Sequence, residues 1–258
     1  VNKRPITLDI DPITVYYGEA NALQYLSTPK ITAGSLAFED TLETLKLNWA
    51  TVGATATVGK YKVNCYVGND NYDLTYDADD KLIVQPRPIT VTVDAASRTY
   101  GEANPTFTSQ VTGGRGFVGS DNVESLGLSL TTDATTTSPV GSYNVTGMAS
   151  NTNYNVTVLG EKKLTITPKA ITVTVNEATR PYGEANPTFT ATAPSNTLVG
   201  EDTIESLGLS LTTAADTTSP VGSYNVTGSA SNTNYTVTVE GTNALTVTAK
   251  PITVTAED

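Results

Sequence analysis

Internal repetition is the feature of this sequence that most constrains its fold. Residues 89–108 recur at residues 171–190, an offset of 82 residues, and both segments contain the sequence YGEANPTFT. A weaker copy begins at Ile6 and carries YGEAN at residues 17–21. Repetition of this kind is typical of arrays in which each repeat is one structural module that contacts its neighbours.

Proline-containing linkers mark the boundaries of the predicted repeats. They lie at residues 86–88, 168–170 and 249–251, and proline restricts itself and the residue before it to extended backbone. The predicted domains are repeat 1 at 1–85, repeat 2 at 86–167, repeat 3 at 168–249 and the start of a truncated fourth repeat at 250–258. Because the linkers are short and stiff, we expect a semi-rigid, elongated array.

Composition argues against several classes of function. The net charge of −11 disfavours binding to nucleic acid or to an anionic membrane surface. The chain shows no apolar run of about 18 residues for a membrane span and no signal peptide. Histidine is absent and Cys65 is the single thiol, so the usual general base, the usual zinc ligands and an internal disulfide are missing. The sequence therefore predicts a protein that is not an enzyme and holds no cofactor or metal.

Alternation of apolar residues with threonine predicts β-strands. Ile171, Val173 and Val175 share one face of such a strand, and the same period recurs at residues 154–158 and 245–247. Four tyrosines in the later strands fall on the same strand face as valines that are expected in the core, so their rings are predicted to point inward. They are Tyr143, Tyr154, Tyr224 and Tyr235.

A different pattern between the strands predicts one short helix in each repeat. In repeat 3 it covers residues 201–208, where Asp202 is the expected N-cap and Gly208 can end the helix in the left-handed region. Residues 69–71, 150–153 and 231–234 are rich in asparagine and predict turns that close a hairpin.

These elements predict a mainly β, α+β fold made of three tandem modules. Two strands, a short helix and three or four further strands within about 82 residues fit a β-grasp-like sheet packed by one helix. An immunoglobulin-like β-sandwich in each repeat is the alternative.

The YGEANP signature has two interpretations. An aromatic ring, a carboxylate and an amide together can hold a sugar, but glycine, and asparagine before proline, also build a tight turn. We interpret the signature as a structural turn, because recurring loop residues in a repeat protein first serve packing. Its residues are Tyr17, Gly18, Glu19, Tyr100, Gly101, Glu102, Asn104, Pro105, Tyr182, Gly183, Glu184, Asn186 and Pro187.

Two acidic stretches, at residues 9–11 and 77–80, could contribute oxygen ligands to Ca²⁺. Neither has the spacing of an EF-hand and neither recurs in repeats 2 and 3, so we interpret them as solvated turns. Trp49 occupies the position of Leu130 and Leu211 and is expected in the core. Cys65, at the position of Gly147, is expected to be a reduced thiol.

The YGEANPTF blocks at residues 100–107 and 182–189, followed by VGSYNVTG and then NYNVTV or NYTVTV, resemble the MBG repeats of the YGX type. Repeat 1 departs from this pattern, with Ala22 where the other repeats have Pro105 and Pro187. The resemblance implies modules strung together in large bacterial surface and secreted proteins, hence an extracellular stalk or adhesin context. It implies no catalytic residues.

The sequence thus supports two hypotheses of function. The first is a non-enzymatic stalk whose partners are neighbouring repeats of the same polypeptide, and which holds a distal binding domain away from a bacterial cell. The alternative is a binding module whose repeats recognise mucin-type glycan or a host protein. Exposed stacking aromatics would favour the alternative, and the inward parity of the tyrosines favours the stalk.

Overall fold

The computed structural model describes residues 2–19 and 21–255 and is mainly β-sheet. The chain forms two compact units. The first unit comprises Val1–Asp94, Thr108–Thr131 and Thr146–Gly160, and the second comprises Ala95–Phe107, Thr132–Val145 and Glu161–Asp258. Residues of repeat 2 belong to both units, and the repeat boundaries at 86 and 168 stay a prediction from the sequence.

Each sequence repeat contains eight strands within the described residues. Repeat 1 has β1 (Arg4–Asp9), β2 (Ile13–Tyr16), β3 (Lys30–Gly34), β4 (Leu47–Ala50), β5 (Gly59–Tyr61), β6 (Asn64–Val67), β7 (Tyr72–Tyr76) and β8 (Leu82–Gln85). Repeat 2 has β9 (Arg87–Val93), β10 (Ala96–Thr99), β11 (Ser109–Gly114), β12 (Leu128–Thr131), β13 (Gly141–Tyr143), β14 (Thr146–Ala149), β15 (Tyr154–Leu159) and β16 (Leu164–Thr167). Repeat 3 has β17 (Lys169–Val175), β18 (Ala178–Pro181), β19 (Ala191–Thr192), β20 (Leu209–Thr213), β21 (Gly222–Tyr224), β22 (Val226–Ala230), β23 (Tyr235–Glu240) and β24 (Leu245–Thr248).

The described residues of the first unit form five small sheets. Two are three-stranded with orders β3-β1-β7 and β11-β9-β15, in which the central strand is antiparallel to the first neighbour and parallel to the second. The third has the order β2-β8-β5, and the pairs β4-β6 and β12-β14 are antiparallel ribbons.

Where the structure describes it, the second unit has four sheets with the same pairing pattern. The order β19-β17-β23 again places one antiparallel and one parallel neighbour beside the central strand. Two further sheets have the orders β10-β16-β13 and β18-β24-β21, and β20-β22 is an antiparallel ribbon. The same set of sheets is therefore formed from each sequence repeat.

Alternation of β-branched residues explains the opening strand of each repeat. In β17, Ile171, Val173 and Val175 are 6%, 0% and 5% exposed, as the period of two predicts. Ile89, at the same position in β9, is 1% exposed and is aligned with Val156 of the parallel strand β15. These side chains form the hydrophobic cores, and the loops extend from the strands that carry them.

The predicted short helix is a single turn of 3-10 helix at Glu205–Leu207 and is not an α-helix. Gly208 ends it in the left-handed region at φ 61°, as expected, and its N–H donates to the Glu205 carbonyl. The glycine closes the turn after one rotation, so an i→i−4 ladder cannot develop. The expected N-cap role of Asp202 is wrong, because Ile204 is the N-cap residue and the side chain that accepts from the turn is that of Thr203, whose Oγ1 accepts from the Ser206 N–H at 3.3 Å.

A matching turn at Glu124–Leu126 lies in repeat 2. The 3-10 helix of repeat 1, Ala22–Tyr25, occurs instead directly after the YGEAN sequence. No helix among the described residues is long and apolar enough to cross a membrane.

The turns at 150–153 and 231–234 are present, but the predicted closing hairpin is wrong. The strands that flank the first turn pair elsewhere, β14 with β12 and β15 with β9. Asn151 fixes this turn, since its Nδ2 donates to the Ser125 carbonyl at 2.9 Å and its Oδ1 accepts from the Asn153 N–H at 3.0 Å. The turn therefore connects two sheets, where a hairpin would have joined two strands of one sheet.

Candidate functional site

Tyr17, from the YGE sequence of repeat 1, packs on repeat 2 within the first unit. Its ring meets the ring of Tyr154 edge to face, with centroids 5.5 Å apart and an interplanar angle of 82°. Oδ2 of Asp121 accepts from the Tyr154 hydroxyl at 2.6 Å and from the Tyr17 hydroxyl at 3.4 Å. One carboxylate thus holds tyrosines from two neighbouring repeats.

Tyr100 makes the same contacts with repeat 3 within the second unit. The rings of Tyr100 and Tyr235 lie 5.4 Å apart at 83°. Oδ2 of Asp202 accepts from Tyr235 at 2.6 Å and from Tyr100 at 3.0 Å. Tyr100 is only 4% exposed. We call each such tyrosine–carboxylate–tyrosine contact a tyrosine joint: the first joins Tyr17 to Tyr154, and the second joins Tyr100 to Tyr235.

The glycine after each tyrosine is required by the joint. Gly18 and Gly101 have φ of 81° and 90°, in the left-handed region that glycine adopts without strain. A Cβ on Gly18 would lie 2.1 Å from Val118, and one on Gly101 would lie 2.5 Å from Val199. Both valines belong to the following repeat, so the absence of a side chain lets the two repeats approach.

A second contact in each joint uses the backbone. The N–H of Val58 donates to Oδ1 of Asn153 at 3.0 Å, and the N–H of Val140 donates to Oδ1 of Asn234 at 2.9 Å. Each asparagine directly precedes a joint tyrosine in the sequence. The turn that ends in the joint tyrosine therefore presents both a ring and an amide to the preceding repeat.

The glutamate of the YGE sequence shapes its turn. Glu19 accepts from the Tyr16 N–H at 3.0 Å, and Glu102 accepts from the Thr99 N–H at 2.9 Å. Glu19 also pairs with Arg115 of repeat 2 at 2.9 Å, and the Arg115 guanidinium lies 4.4 Å from the centre of the Tyr16 ring.

Burial shifts the titration of all four joint tyrosines. It is the main cause that raises the pKa of Tyr154 to about 12, and the hydrogen bond to Asp121 adds to the shift. The pKa values of Tyr100 and Tyr235 are also raised, first by burial and then by the hydrogen bond to Asp202. For Tyr17, burial raises the pKa first and the Asp121 charge second. The joint tyrosines are therefore held in the neutral form that donates to the carboxylate.

The asparagine of the signature orients a buried arginine. Arg98 is 5% exposed, and its Nε donates to Oδ1 of Asn104 at 2.7 Å while its Nη2 donates to the Thr135 carbonyl. Asn104 in turn donates to the Ala134 carbonyl at 2.6 Å. Its amide therefore links the strand that carries the arginine to a distant loop.

Repeat 3 has the same network around Arg180, which is 3% exposed. Its Nε donates to Asn186 at 2.6 Å, Asn186 donates to the Ala215 carbonyl at 2.6 Å, and Nη2 of Arg180 reaches the Asp216 carbonyl. In repeat 1 the matching position of the strand is Val15, which is 4% exposed. Pro105 and Pro187, which follow the asparagines, are half-buried, and Ala22 replaces them in repeat 1.

Comparison of the sequence with models of known protein families identifies the family of the chain. The model of the MBG domain (YGX type) matches residues 89–165 and again residues 171–249. The chain belongs to this family. Searches of curated proteins and of solved structures found no match to the chain.

The two matched segments lie within repeats 2 and 3, which contain the complete YGEANP signature and the buried arginine. Repeat 1 lies outside both matches, but its Tyr17 and Gly18 still form a tyrosine joint. The joint therefore survives where the arginine–asparagine network does not. Ala20, within the YGEAN sequence of repeat 1, lies outside the described residues.

The third copy of the YGE sequence makes no tyrosine joint within the described chain. Tyr182 is 44% exposed, and a Cβ on Gly183 would have no atom within 4 Å. Glu184 donates its N–H to the Pro181 carbonyl at 3.3 Å, which closes the same turn as in the other two sequence repeats.

The acidic stretches considered as calcium ligands lie beside lysines. Among the described residues no group of three or more acidic, cysteine or histidine residues is placed to hold a metal ion. The ion pairs are Asp9–Lys81 at 2.6 Å, Asp11–Lys30 at 3.0 Å, Asp79–Lys62 at 2.6 Å and Asp80–Lys60 at 3.0 Å. The hydrogen bond from Lys81 holds the pKa of Asp9 below its ordinary value.

The predicted equivalence of Trp49 with two leucines is confirmed by strand register. Each of these residues lies opposite the small residue of the partner strand, in the pairs Trp49–Cys65, Leu130–Gly147 and Leu211–Gly228. Trp49 packs on the core of repeat 1 and meets Tyr76 edge to face at 5.4 Å. Burial raises the pKa of the Cys65 thiol to about 11, which disfavours the reactive thiolate.

Sequence reasoning missed the residues that complete the joint and the network. Asp121 and Asp202 lie just before the 3-10 turns, where an aspartate is also a plausible cap. Arg98 and Arg180 lie at positions that face inward when residues alternate along their strands. This alternation is the sequence signal that could have revealed them.

Proposed function

We propose that this chain is a non-enzymatic structural stalk or spacer, part of a large bacterial surface adhesin, which projects a distal binding domain from the cell. The observation that carries the proposal is the second tyrosine joint, in which Tyr100 of one repeat is 4% exposed against Asp202 and Tyr235 of the next. A spacer transmits force and distance only if its modules are fixed to one another, and a buried aromatic with a hydrogen-bonded hydroxyl provides such a fixed contact.

Each module of the proposed stalk is β-grasp-like. Support comes from the order β11-β9-β15, in which the opening strand β9 is central, antiparallel to β11 and parallel to the late strand β15. We assign the 3-10 turn at Glu124–Leu126 to the place of the helix in that fold class. We further propose that the three modules form an elongated array, and the immunoglobulin-like sandwich remains the alternative fold of each module.

The proposed setting is extracellular, on a bacterial surface, with neighbouring repeats of the same polypeptide as the partners. Its support is the resemblance of the repeats to MBG modules of surface proteins. The net charge of −11 also disfavours nucleic acid and anionic membranes as partners.

Small-angle scattering on dilute wild-type chain tests the stalk. Three modules of this size in a row are expected to give a maximum dimension of about 100 Å. The double variant Y17A/Y100A should broaden the distance distribution, because both joints lose their ring, while the exposed-site control Y182A should leave the distribution unchanged. A compact wild-type particle would contradict the stalk.

The alternative function is recognition of mucin-type glycan or a host protein by the repeats themselves. It is favoured by an open groove of about 660 Å³ in repeat 3, lined by Asn186, Phe189, Glu205 and Leu211 among others. An aromatic ring beside an amide and a carboxylate suits a sugar. A glycan array probed with the intact chain decides between them: saturable binding that F189A abolishes supports recognition, and no binding supports the stalk.

A further inference from the structure

The first and last strands of repeat 3 are each the central strand of a sheet. The opening strand β17 lies between β19 and β23, and the closing strand β24 lies between β18 and β21. Both strands are buried on their inner face, where Val173, Leu245 and Val247 are each 0% exposed. Tension along the polypeptide enters the repeat at β17 and leaves it at β24. The two strands that receive this tension are therefore each held from both sides.

Two parallel ladders connect the start of repeat 3 with its end. Strand β17 pairs with β23 over six residue pairs without a shift of register, and β18 pairs with β24 over four. A further hydrogen bond lies at the outer end of each ladder. The Lys169 N–H donates to the Asn234 carbonyl at 2.9 Å, and the Tyr182 N–H donates to the Thr248 carbonyl at 2.8 Å. The segment that enters the repeat is thus bound along its length to the segment that leaves it.

The direction of the paired strands decides how tension loads each ladder. Tension pulls β17 toward its N-terminal end, and it draws β23 the opposite way, because β23 is connected to β24 at its C-terminal end. In a parallel pair, opposite pulls of this kind slide one strand along the other. The hydrogen bonds run between the strands at even spacing, so all of them resist the sliding together. A ladder pulled apart from one end would instead open one hydrogen bond at a time.

The two ladders share the load. Residues 176–177 connect β17 to β18, and residues 241–244 connect β23 to β24. Tension can cross from β17 to β23 and follow the chain to β24, or follow the chain to β18 and cross there to β24. Because both connections are short, neither ladder can slide far while the other one holds. We call the β17–β23 and β18–β24 ladders together the shear clamp of repeat 3.

Equivalent pairs of parallel ladders occur in the other two repeats. They are β1–β7 with β2–β8 in repeat 1, and β9–β15 with β10–β16 in repeat 2. Repeat 1 keeps both ladders although Val15 replaces the buried arginine. One residue, Pro86 or Pro168, separates the last strand of a repeat from the opening strand of the next. Tension therefore passes from one shear clamp to the next with little slack.

We propose that each repeat is a tension-bearing module, whose shear clamp resists a pull along the polypeptide more strongly than a pull that separates its ladders from one end. This mechanical function goes beyond the proposed stalk, which needs only a fixed length. It depends on strand pairing inside one repeat and on no contact between repeats. A compact particle in small-angle scattering would therefore contradict the stalk and leave the tension-bearing module standing.

Optical-tweezers pulling on repeat 3 within the intact chain tests this directional resistance. Both variants carry Cys65→Ala, so that only two introduced thiols hold the handles. The shear pair, Ala170→Cys with Ala249→Cys, loads the clamp as tension along the polypeptide does. The control pair, Ala170→Cys with Thr236→Cys, uses register partners at the start of the β17–β23 ladder, which therefore opens one bond at a time. All three attachment sites are exposed.

The shear pair is expected to unfold at about twice the force of the control pair or more, at the same loading rate. A released length of about 280 Å identifies repeat 3 as the module that unfolds. The two pairs should share one thermal unfolding temperature, so the difference in force reports the direction of the pull. Equal forces in the two directions, or a weaker shear pair, would overturn the proposal.

Pulling the wild-type chain from its two ends needs no internal substitution and loads every repeat in shear. It should give three separate unfolding events, each at a force comparable with that of the shear pair. Unfolding of the wild-type chain at forces as low as that of the control pair would also overturn the proposal.

Discussion

The side-chain oxygen of Asn234 accepts a hydrogen bond from the backbone N–H of Val140, 94 residues earlier in the chain, at 2.9 Å. Asn153 and Val58 make the equivalent bond at 3.0 Å. Each bond lies beside a tyrosine joint and joins consecutive repeats. Neighbouring repeats are thus bound by backbone as well as side chains, so folding of one should stabilise the next.

Replacing Tyr100 by alanine should destabilise the chain by about 3 kcal/mol, as removal of a buried aromatic ring usually does. The matched control is Tyr182→Ala, which removes the same side chain at 44% exposure and should change stability by less than about 0.5 kcal/mol. Differential scanning calorimetry should show a transition lowered by ten degrees or so in the first variant alone. Equal shifts in the two variants would refute a structural role of the joint.

Alkaline pH should weaken the first joint. The pKa of Tyr154 is raised to about 12 in the folded chain, above the value of about 10 in the unfolded chain. The tyrosine therefore stabilises the fold fully below pH 10 or so, and this contribution is lost as pH rises toward about 12. Tyrosinate absorbance recorded with circular dichroism should show late-titrating tyrosines that ionise together with unfolding.

Asp121→Asn is the informative variant for that titration. It removes the carboxylate that helps to raise the pKa of Tyr154, so the late ionisation should begin at lower pH. Titration of every tyrosine as one group near its ordinary pKa in the wild type would show that the joint is not formed in solution.

Replacing Arg180 by alanine should destabilise repeat 3 by about 2–4 kcal/mol. The side-chain oxygen of Asn186 and the backbone carbonyl of Asp216 would both lose the guanidinium that donates to them. Arg180→Lys should rescue little, since an ammonium group cannot reproduce the planar donor geometry of a guanidinium. The exposed-site control is Lys250→Ala. Thermal unfolding that is the same in all three variants would contradict the proposed network.

Gly228→Ala should be more destabilising than Gly147→Ala. A Cβ on Gly228 would lie 2.5 Å from the backbone oxygen of Ser210, whereas the nearest atom to a Cβ on Gly147 is the mobile end of Leu130 at 2.6 Å. We expect a loss of about 1–3 kcal/mol for the first and less for the second. Gly53→Ala, with no atom within 4 Å, is the control and should be neutral. If denaturant unfolding shows a larger loss of stability for Gly147→Ala than for Gly228→Ala, the close contact between Gly228 and Ser210 is misassigned.

Strand positions and their buried faces were predictable because they depend on local order. Ile171 and Val173 alternate with threonine, and that alternation alone places them inward. The 3-10 turn was overestimated as a helix because Gly208 signals an end but not how many residues precede it.

Pairing between repeats was not predictable from the sequence alone. Tyr100 and Asp202 are 102 residues apart, and no local pattern specifies which distant carboxylate meets a given tyrosine. Gly101, within the predicted turn at YGEANP, has a φ of 90° in the left-handed region. Gly101 also forms the surface on which Val199 of the next repeat packs, and this contact depends on tertiary structure, which the local sequence does not specify.

Hydrogen exchange at three equivalent valine amides tests the central claim that consecutive repeats are joined. In wild-type chain, the N–H groups of Val58 and Val140 should be protected by about 100-fold or more relative to unstructured chain, and that of Val221 should exchange rapidly. Tyr100→Ala should accelerate exchange at Val140 and leave Val58 unchanged. Rapid exchange at all three amides in the wild type would contradict the tyrosine joints.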